Sequence, residues 1–333
     1  MRRHRYTVGA LLSILLTAAA VAIVALRAQR MPEIVSYWPL ALAIGISFVS
    51  WWLQGLISAV LARPHLERLP TLAMTRVYLA GAFVGGISPV RGGEIPVEVL
   101  LLTQLGLSAA QGSTVVVTRG LLNVSVATLA TAAVLIFVPD LASVGSWKLL
   151  AGALAIGVIW ALLAFVARGI RRRRLTVSPE GYTPTGFPGR WTRWRTTLIY
   201  FLSDMRATFA LFLRPGHRLL LAYGAVLMLI YWAVRLSFGP LALMAAGYTG
   251  DWVPVVVAQL LLVTFVLPLA PTPGGSGAAE LGFTALVGAH APEAVLLSGV
   301  IIYAGLTHYL PTIVGGLLTS RQLWRSPDRA EGD

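Results

Sequence analysis

The chain has 333 residues, of which 57% are apolar or aromatic and only 12% are charged. A soluble domain carries about 25% charged residues, and a mean hydropathy of +0.77 is too high for a water-soluble protein of this length. Composition therefore excludes a soluble globular protein and predicts an all-α polytopic membrane protein. The absence of cysteine excludes disulfides, thiolate nucleophiles and cysteine-bound metals.

The basic residues outnumber the acidic ones by 26 to 13. In a soluble protein this excess would suggest a nucleic-acid partner, but Lys and Arg also collect in the cytoplasmic loops of membrane proteins. The segment 168–218 holds much of the arginine, and a second basic cluster lies near the C-terminus. We therefore interpret the net charge as a topology signal and predict no nucleic-acid partner.

Six apolar runs are long enough to cross a hydrocarbon core of about 30 Å, which takes roughly 20 helical residues. In chain order they are Thr7–Leu26, Tyr37–Ala62, Ser113–Val138, Trp147–Ala167, Leu219–Ala246 and Glu293–Leu318. The first run is longer than the apolar region of a signal peptide, so we interpret it as a span.

Two further segments, 71–105 and 252–289, are each interrupted in the middle by a stretch rich in glycine and proline. The second leg of each has about 12 residues, or roughly 18 Å of helix, which is too short to cross the membrane. We predict that both are re-entrant helical hairpins. The predicted fold is then one integral membrane domain over residues 1–333, with about six full spans and two hairpins.

Charge asymmetry fixes the predicted orientation. If each hairpin returns to its own side, the turn 63–68, the basic loop 168–218 and both termini all lie in the cytoplasm, as arginine-rich loops should. The first hairpin then enters from the cytoplasm and the second from outside, in a cytoplasmic (inner) membrane. Apolar residues at helical spacing between Trp191 and Phe212 favour an interfacial helix within the loop, although a connector packed on the bundle is the alternative.

The two interruptions share one motif. Pro89-x-x-Gly92-Gly93-x-x-x-x-Glu98 matches Pro271-x-x-Gly274-Gly275-x-x-x-x-Glu280 with the same spacing. Similar broken hairpins that enter from opposite sides are typical of inverted-repeat transporters, whose substrate site lies near the midplane.

The residue types of these turns suit such a site. Glycines, including Gly277, allow positive φ and close backbone approach, and the prolines, including Pro273, end the first legs. The second legs start at these turns, and helix N-termini bind anions.

Ionisable side chains concentrate at the same places. Arg91 and Glu94 lie in the first turn, Glu280 follows the second, and Arg119 lies inside a span. Such residues are costly in a membrane and usually functional. Arg91–Glu280 or Arg119–Glu94 pairs would hold the bundle together. Alternatively, the arginines bind a lipid phosphate while the carboxylates hold a cationic group or relay protons, which we favour for Arg91, Glu94 and Glu280.

Simpler roles are expected for other polar positions. For Arg235, substrate binding is weighed equally against snorkelling or local pairing, Glu98 is interpreted as a helix cap, and His308 as hydrogen-bonded structure. Gly81-x-x-x-Gly85 has the spacing of a helix-packing motif. No Walker loop, His-Glu-x-x-His or Gly-x-Ser-x-Gly motif occurs, so we expect no enzymatic activity, cofactor or metal site.

The run Pro89-Val-Arg91-Gly92-Gly93-Glu94, the later Arg119, and Pro271-Thr-Pro273-Gly274-Gly275-x-Gly277-x-x-Glu280 resemble the flippase-like membrane region of lysylphosphatidylglycerol synthases. The resemblance covers Tyr6 to Trp324. It implies two opposed re-entrant hairpins and a role in moving or handling anionic or aminoacylated phospholipid between leaflets. The matching arginines, carboxylates and glycines are the implied substrate-binding residues.

Two departures from this family qualify the resemblance. The aminoacyl-transferase domain of the full-length synthases is absent, so lipid lysinylation is not expected. The family commonly has Glu just before the arginine matching Arg119 and Asp four residues after it, where this chain has Thr118 and Asn123. This implies a weaker cation or proton site there and an arginine freer for phosphate.

Other functions stay open at this point. A membrane enzyme acting on lipid-linked substrates would need a nucleophile, base or metal site, and the sequence offers only scattered carboxylates. A secondary transporter of a small polar solute would use the same hairpins, and a non-catalytic partner of a separately encoded lipid-modifying enzyme would need only the bundle. A homo-oligomer is compatible with all of these.

Overall fold

The computed structural model describes residues 33–66, 70–88, 93–137, 212, 215–267, 270, 272, 275–288 and 290–323. All regular structure in these ranges is helical. The predicted spans Thr7–Leu26 and Trp147–Ala167 lie outside the described residues, as does most of the loop 168–218 with its predicted interfacial helix.

The described helices follow the apolar runs of the sequence. In chain order they are α1 (Tyr37–Ala62), α2 (Thr71–Ile87), α3 (Glu94–Gln104), α4 (Ala109–Phe137), α5 (Pro215–Leu236), α6 (Phe238–Ala245), α7 (Val253–Leu261), α8 (Ala278–Val287), α9 (Glu293–Ala304) and α10 (Leu310–Leu323). Short π-helical segments extend α7 (Leu262–Val266) and join α9 to α10 (Gly305–Tyr309).

Four of these helical units are long and apolar enough to cross a membrane: Tyr37–Ala62, Ala109–Val134, Gly216–Ala245 and Glu293–Thr319. They correspond to four of the six predicted spans. The chain is therefore a multi-pass membrane protein.

Helix α1 lies at the centre of the described bundle and packs against α2, α4, α5 and α6. Its C-terminal half is buried and joins one apolar cluster around Ile57 and Leu61. Its N-terminal half exposes Trp38 and Phe48, as a lipid-facing surface does. The helix thus links the core of the bundle to its periphery.

Helices α2 and α3, of 17 and 11 residues, form a short antiparallel pair. At about 1.5 Å per residue α3 is roughly 17 Å long, well short of a hydrocarbon core. A Cβ placed on Gly81 would lie 2.7 Å from Glu98 Cγ, and one on Gly85 would lie 3.2 Å from Glu94 Cβ. The Gly81-x-x-x-Gly85 motif therefore packs α2 against α3, as predicted.

A second short pair consists of α7 with its π segment and α8, which has 10 residues. Helix α8 packs on α9: Phe283 of α8 stacks on Tyr303 of α9, with 4.5 Å between the ring centroids. Further along, Gly288 lies beside Leu296, so α8 runs antiparallel to α9.

Both short pairs pack against the last long helical unit, Glu293–Thr319. For the first pair the contact is Gly86 at the end of α2, where an added Cβ would lie 2.6 Å from Thr312 Oγ1. For the second pair it is the Phe283–Tyr303 stack and the helical turn beyond it.

The two π segments have the same local cause. Each ends two residues before a proline, Pro268 or Pro311, which cannot donate an amide hydrogen bond to the carbonyl four residues earlier. That carbonyl belongs to Thr264 or Thr307, inside the π segment. Single-turn π segments of this kind are frequent at functional sites.

Replacing Gly315 by Ala tests the close packing of α10 on α2. An added Cβ would overlap the backbone carbonyl oxygen of Leu79, which cannot rotate away. We expect a loss of roughly 1–3 kcal/mol, as in overpacked cores, measured as a lower melting temperature in detergent. Gly120→Ala is the matched control, because a Cβ there meets nothing within 4 Å. Equal melting temperatures for the two variants would contradict this packing.

Candidate functional site

A buried ion pair joins α3 and α4. Arg119 Nη2 lies 2.6 Å from Glu98 Oε2 and 2.8 Å from Oε1, and Glu98 is completely buried. Arg119 Nη1 also donates to Ser58 Oγ of α1 at 3.1 Å. The guanidinium carbon lies 5.5 Å from the centre of the Tyr78 ring, within the range of a cation–π interaction. One arginine thus joins four helices.

This geometry changes the interpretation of Arg119. The predicted alternative in which it pairs with Glu94 is wrong, because its carboxylate partner is Glu98, one helical turn further along α3. The expectation that Arg119 is left free for phosphate is also wrong for this arrangement. Glu98, which we interpreted as a helix cap, neutralises Arg119 instead. A direct role of Arg119 at a substrate stays a prediction.

The two residues that depart from the family pattern have modest roles. Asn123 Oδ1 accepts a hydrogen bond from Trp232 Nε1 at 3.1 Å, which ties α4 to α5. Thr118 Oγ1 is buried and has no hydrogen-bond partner among the described residues. Among the described residues, Glu98 is the carboxylate in direct contact with Arg119.

A cavity of about 50 Å³ lies next to this pair, between α2, the start of α3, the end of α5 and the last helical unit. Its polar lining comes from four helical elements. The lining residues are Tyr78, Ala82, Gly85, Gly86, Glu94, Arg235, Thr307, His308, Pro311 and Thr312.

Glu94 and Arg235 are the charged residues of this lining. Within the part of the chain that the structure describes, no basic nitrogen lies within 4.0 Å of the Glu94 carboxylate, and no carboxylate lies within 4.0 Å of Arg235. Opposite charges therefore face one small space without direct contact. Such an arrangement accommodates water or a polar ligand group between them.

A break in the fifth helix positions Arg235. An uninterrupted α-helix would bond the Arg235 carbonyl to the amide of Gly239. Instead, Gln259 of α7 bridges these two groups: its Nε2 donates to the Arg235 carbonyl at 2.8 Å, and its Oε1 accepts from the Gly239 amide at 3.0 Å. The Arg235 side chain donates to Tyr231 Oη at 3.3 Å. Gln259 thus stabilises the helix end that carries the arginine.

His308 also lines the cavity, inside the π segment Gly305–Tyr309, and is almost fully buried. Its backbone carbonyl accepts a hydrogen bond from Thr312 Oγ1 at 2.7 Å, and its ring meets Tyr309 edge-on at 4.9 Å. The imidazole is therefore a cavity group held in a distorted turn of helix.

At the turn before α8, the predicted glycines and Glu280 have roles within the protein backbone. Gly275 and Gly277 have φ of +81° and +78°, which supports the predicted need for glycine there. Glu280 is buried, and its Oε2 accepts from the Gly277 amide at 2.7 Å, so it caps α8. Gly93 has an ordinary φ of −86°, and its amide donates to Ser88 Oγ at 3.1 Å. The first amide of each second leg is therefore already bonded within the protein.

The contacts of the two motif carboxylates differ. Glu98 and Glu280 occupy equivalent motif positions, yet one pairs with an arginine of another helix and the other caps its own helix. The remaining predicted site residues lie outside the described ones, as does the alternative Arg91–Glu280 pair. They are Pro89, Arg91, Gly92, Pro271, Pro273 and Gly274. Substrate binding by Glu94, Glu280, Gly93, Gly275 and Gly277 stays a prediction.

Sequence reasoning missed Tyr78 and gave too little weight to Arg235, Glu98 and His308. Two signals in the sequence point to them. Glu94 and Glu98 are spaced i, i+4 and so lie on one face of a helix, opposite two glycines with the same spacing. The His308-x-x-Pro311 spacing places the histidine in the turn that the proline distorts.

These features define a multi-pass membrane protein with ionisable groups held where short helix pairs meet a long span. Residues 6–315 match the lysylphosphatidylglycerol synthase transmembrane region, so the chain belongs to that family. It is also 24% identical over 310 residues to a UPF0104 membrane protein of Archaeoglobus fulgidus, which covers 87% of this chain and 88% of that protein.

Replacing both partners of the buried ion pair tests whether it is structural. Glu98→Leu or Arg119→Met alone leaves an uncompensated buried charge, which costs about 3–5 kcal/mol. The double replacement removes both charges, so we expect it to be more stable than either single variant. Thermal unfolding in detergent measures this coupling. Additive losses in the double variant would show that the two residues do not interact.

Proposed function

We propose that this protein moves phospholipid between the leaflets of a cytoplasmic membrane, and that it does so without catalysing a covalent reaction. Family membership supports a membrane protein that handles lipid. The observation that carries the proposal is the cavity in which Glu94 and Arg235 face each other without pairing. An arginine suits a lipid phosphate, and a carboxylate suits the amine of an aminoacylated or zwitterionic headgroup.

The two short helix pairs are proposed to be re-entrant hairpins. Their support is length and packing, because α3 and α8 have only 11 and 10 residues and both pairs pack against the Glu293–Thr319 span. Irregular backbone inside a membrane must be covered by protein or line a cavity, and Gly86 and Glu94, on either side of the first turn, line one.

The mechanism requires the cavity to open. Ligand pockets usually measure 300–1,000 Å³, so a space of about 50 Å³ does not hold a whole headgroup. We propose that the α2–α3 pair moves relative to the last span, where Gly86 meets Thr312, and admits the headgroup while the acyl chains stay in lipid. The movement would expose the cavity first to one leaflet and then to the other.

The Glu98–Arg119 pair is assigned a supporting part in this cycle. It fixes α3 to α4 and α1 through contacts that are fully buried, so it keeps Glu94 in place one turn away. Arg91 and Glu280 remain proposed substrate residues, with Arg91 placed by the sequence at the turn that precedes Glu94. Association with a separately encoded lipid-modifying enzyme and formation of a homo-oligomer remain predictions. The absence of a cofactor is also a prediction.

The proposed orientation can be tested because the chain has no native cysteine. Arg63→Cys lies in the turn after α1 and should react with an impermeant maleimide only from the cytoplasmic side. Glu293→Cys lies at the start of α9 and should react only from outside. Both positions are exposed. Labelling of the two cysteines from the same side would contradict the topology.

Translocation of a fluorescent aminoacylated phosphatidylglycerol, whose headgroup carries both a phosphate and an amine, tests the function itself in reconstituted vesicles. Arg235→Gln and Glu94→Gln each remove one charge facing the cavity, so we expect each to slow translocation at least about tenfold, which corresponds to 1.4 kcal/mol. Arg63→Gln is the matched control, since this exposed arginine lies outside the cavity.

Two results would contradict the proposal. One is wild-type protein that leaves the leaflet distribution of phospholipid unchanged. The other is a pair of cavity variants that translocate as fast as the control while remaining folded. Uptake of a small polar solute under the first result would favour the solute-transporter alternative.

A further inference from the structure

The small cavity has the size and composition of a site for water and a proton. Its volume of about 50 Å³ leaves space for a few water molecules, since one needs roughly 10–15 Å³ of such space. Its lining includes a carboxylate, an imidazole and a phenol, from Glu94, His308 and Tyr78. Chains of acidic residues and histidines at membrane depth are typical of proton pathways.

Few fixed charges of the described residues surround the cavity, so the binding of one proton would change its net charge substantially. The groups that face it or lie just behind it come from every packed element: Tyr78 on α2, Glu94 and Glu98 on α3, Arg119 on α4, Tyr231 and Arg235 on α5, and Tyr303 and His308 on the last span. Arg119 and Glu98 neutralise each other. Among the described residues that line the cavity, the remaining fixed charges are one cation, Arg235, and one carboxylate, Glu94.

A proton added to Glu94 would remove the negative charge that attracts Arg235 across the cavity. A proton added to His308 would place a second positive charge beside Arg235. Either change alters the attraction between α3, α5 and the last span at the point where the first pair meets that span. In a low-dielectric site such changes are large enough to shift a conformational equilibrium.

We propose that Glu94 and His308 take up and release a proton in each cycle, so that a transmembrane proton gradient drives lipid movement. The proton enters from water on one side, forms an O–H bond on the Glu94 carboxylate or an N–H bond on the His308 imidazole, and leaves to water on the other side. The inference rests on the proposed lipid translocation and names its energy source.

Reconstituted vesicles that contain trapped pH-sensitive dye test this coupling. The vesicles hold phosphatidylglycerol with a trace of its fluorescent analogue, and potassium with valinomycin clamps the voltage. We expect an imposed proton gradient to accelerate wild-type translocation several-fold and proton flux to accompany it. Glu94→Gln and His308→Gln should abolish the acceleration. Glu293→Gln and His290→Gln, at exposed positions, are the matched controls and should behave like wild type.

A direct titration keeps the two proposals separable. Infrared difference spectra of the purified protein should show a protonated carboxyl band that disappears in Glu94→Gln and titrates at a different pH in His308→Gln. Translocation that ignores the gradient, together with no such band, overturns proton coupling and leaves the lipid function standing. If the band is present but the protein moves no lipid, both the proposed function and gradient-driven lipid movement are overturned.

Discussion

A carboxylate inside a membrane must be neutralised, and the burial of Glu98 determines much of the described structure. Arg119 supplies the opposite charge from α4, Ser58 supplies a further hydrogen-bond partner from α1, and Tyr78 of α2 provides a ring beside the guanidinium. Because breaking a buried pair costs several kcal/mol, these four helices are held in one register. Glu94 then necessarily lies one turn away, at the edge of the cavity.

Glycine makes this arrangement sterically feasible. Gly81 lies opposite Glu98 and Gly85 opposite Glu94, so two carboxylates lie directly on the surface of α2. On the other side of the cavity, Gln259 replaces the hydrogen bond missing between the Arg235 carbonyl and the Gly239 amide. Glu94 is thus positioned by close packing of α3 on α2, and Arg235 by a helix break that Gln259 bridges.

The helical membrane class, the four spans that the structure describes and the packing glycines were predictable from the sequence. So were the interruptions between the two legs of each short helix pair. Those features follow from composition, length and residue type, which are local properties. The sequence did not predict that Arg119 pairs with Glu98, because a motif shows spacing along the chain and not which helix faces which. The roles of Arg235 and His308 were also underweighted, since each is one polar residue in an apolar span and only the packed bundle brings it to the cavity.

The central claim is that a lipid headgroup reaches the space between Glu94 and Arg235. A phospholipid with a photoreactive group on its headgroup tests this most directly in vesicles that contain the protein. Mass spectrometry should map the crosslinks to cavity residues such as Ala82 and Thr312, and Arg235→Gln should weaken them. Crosslinks confined to exposed positions such as Leu129 and Leu317 would contradict the account.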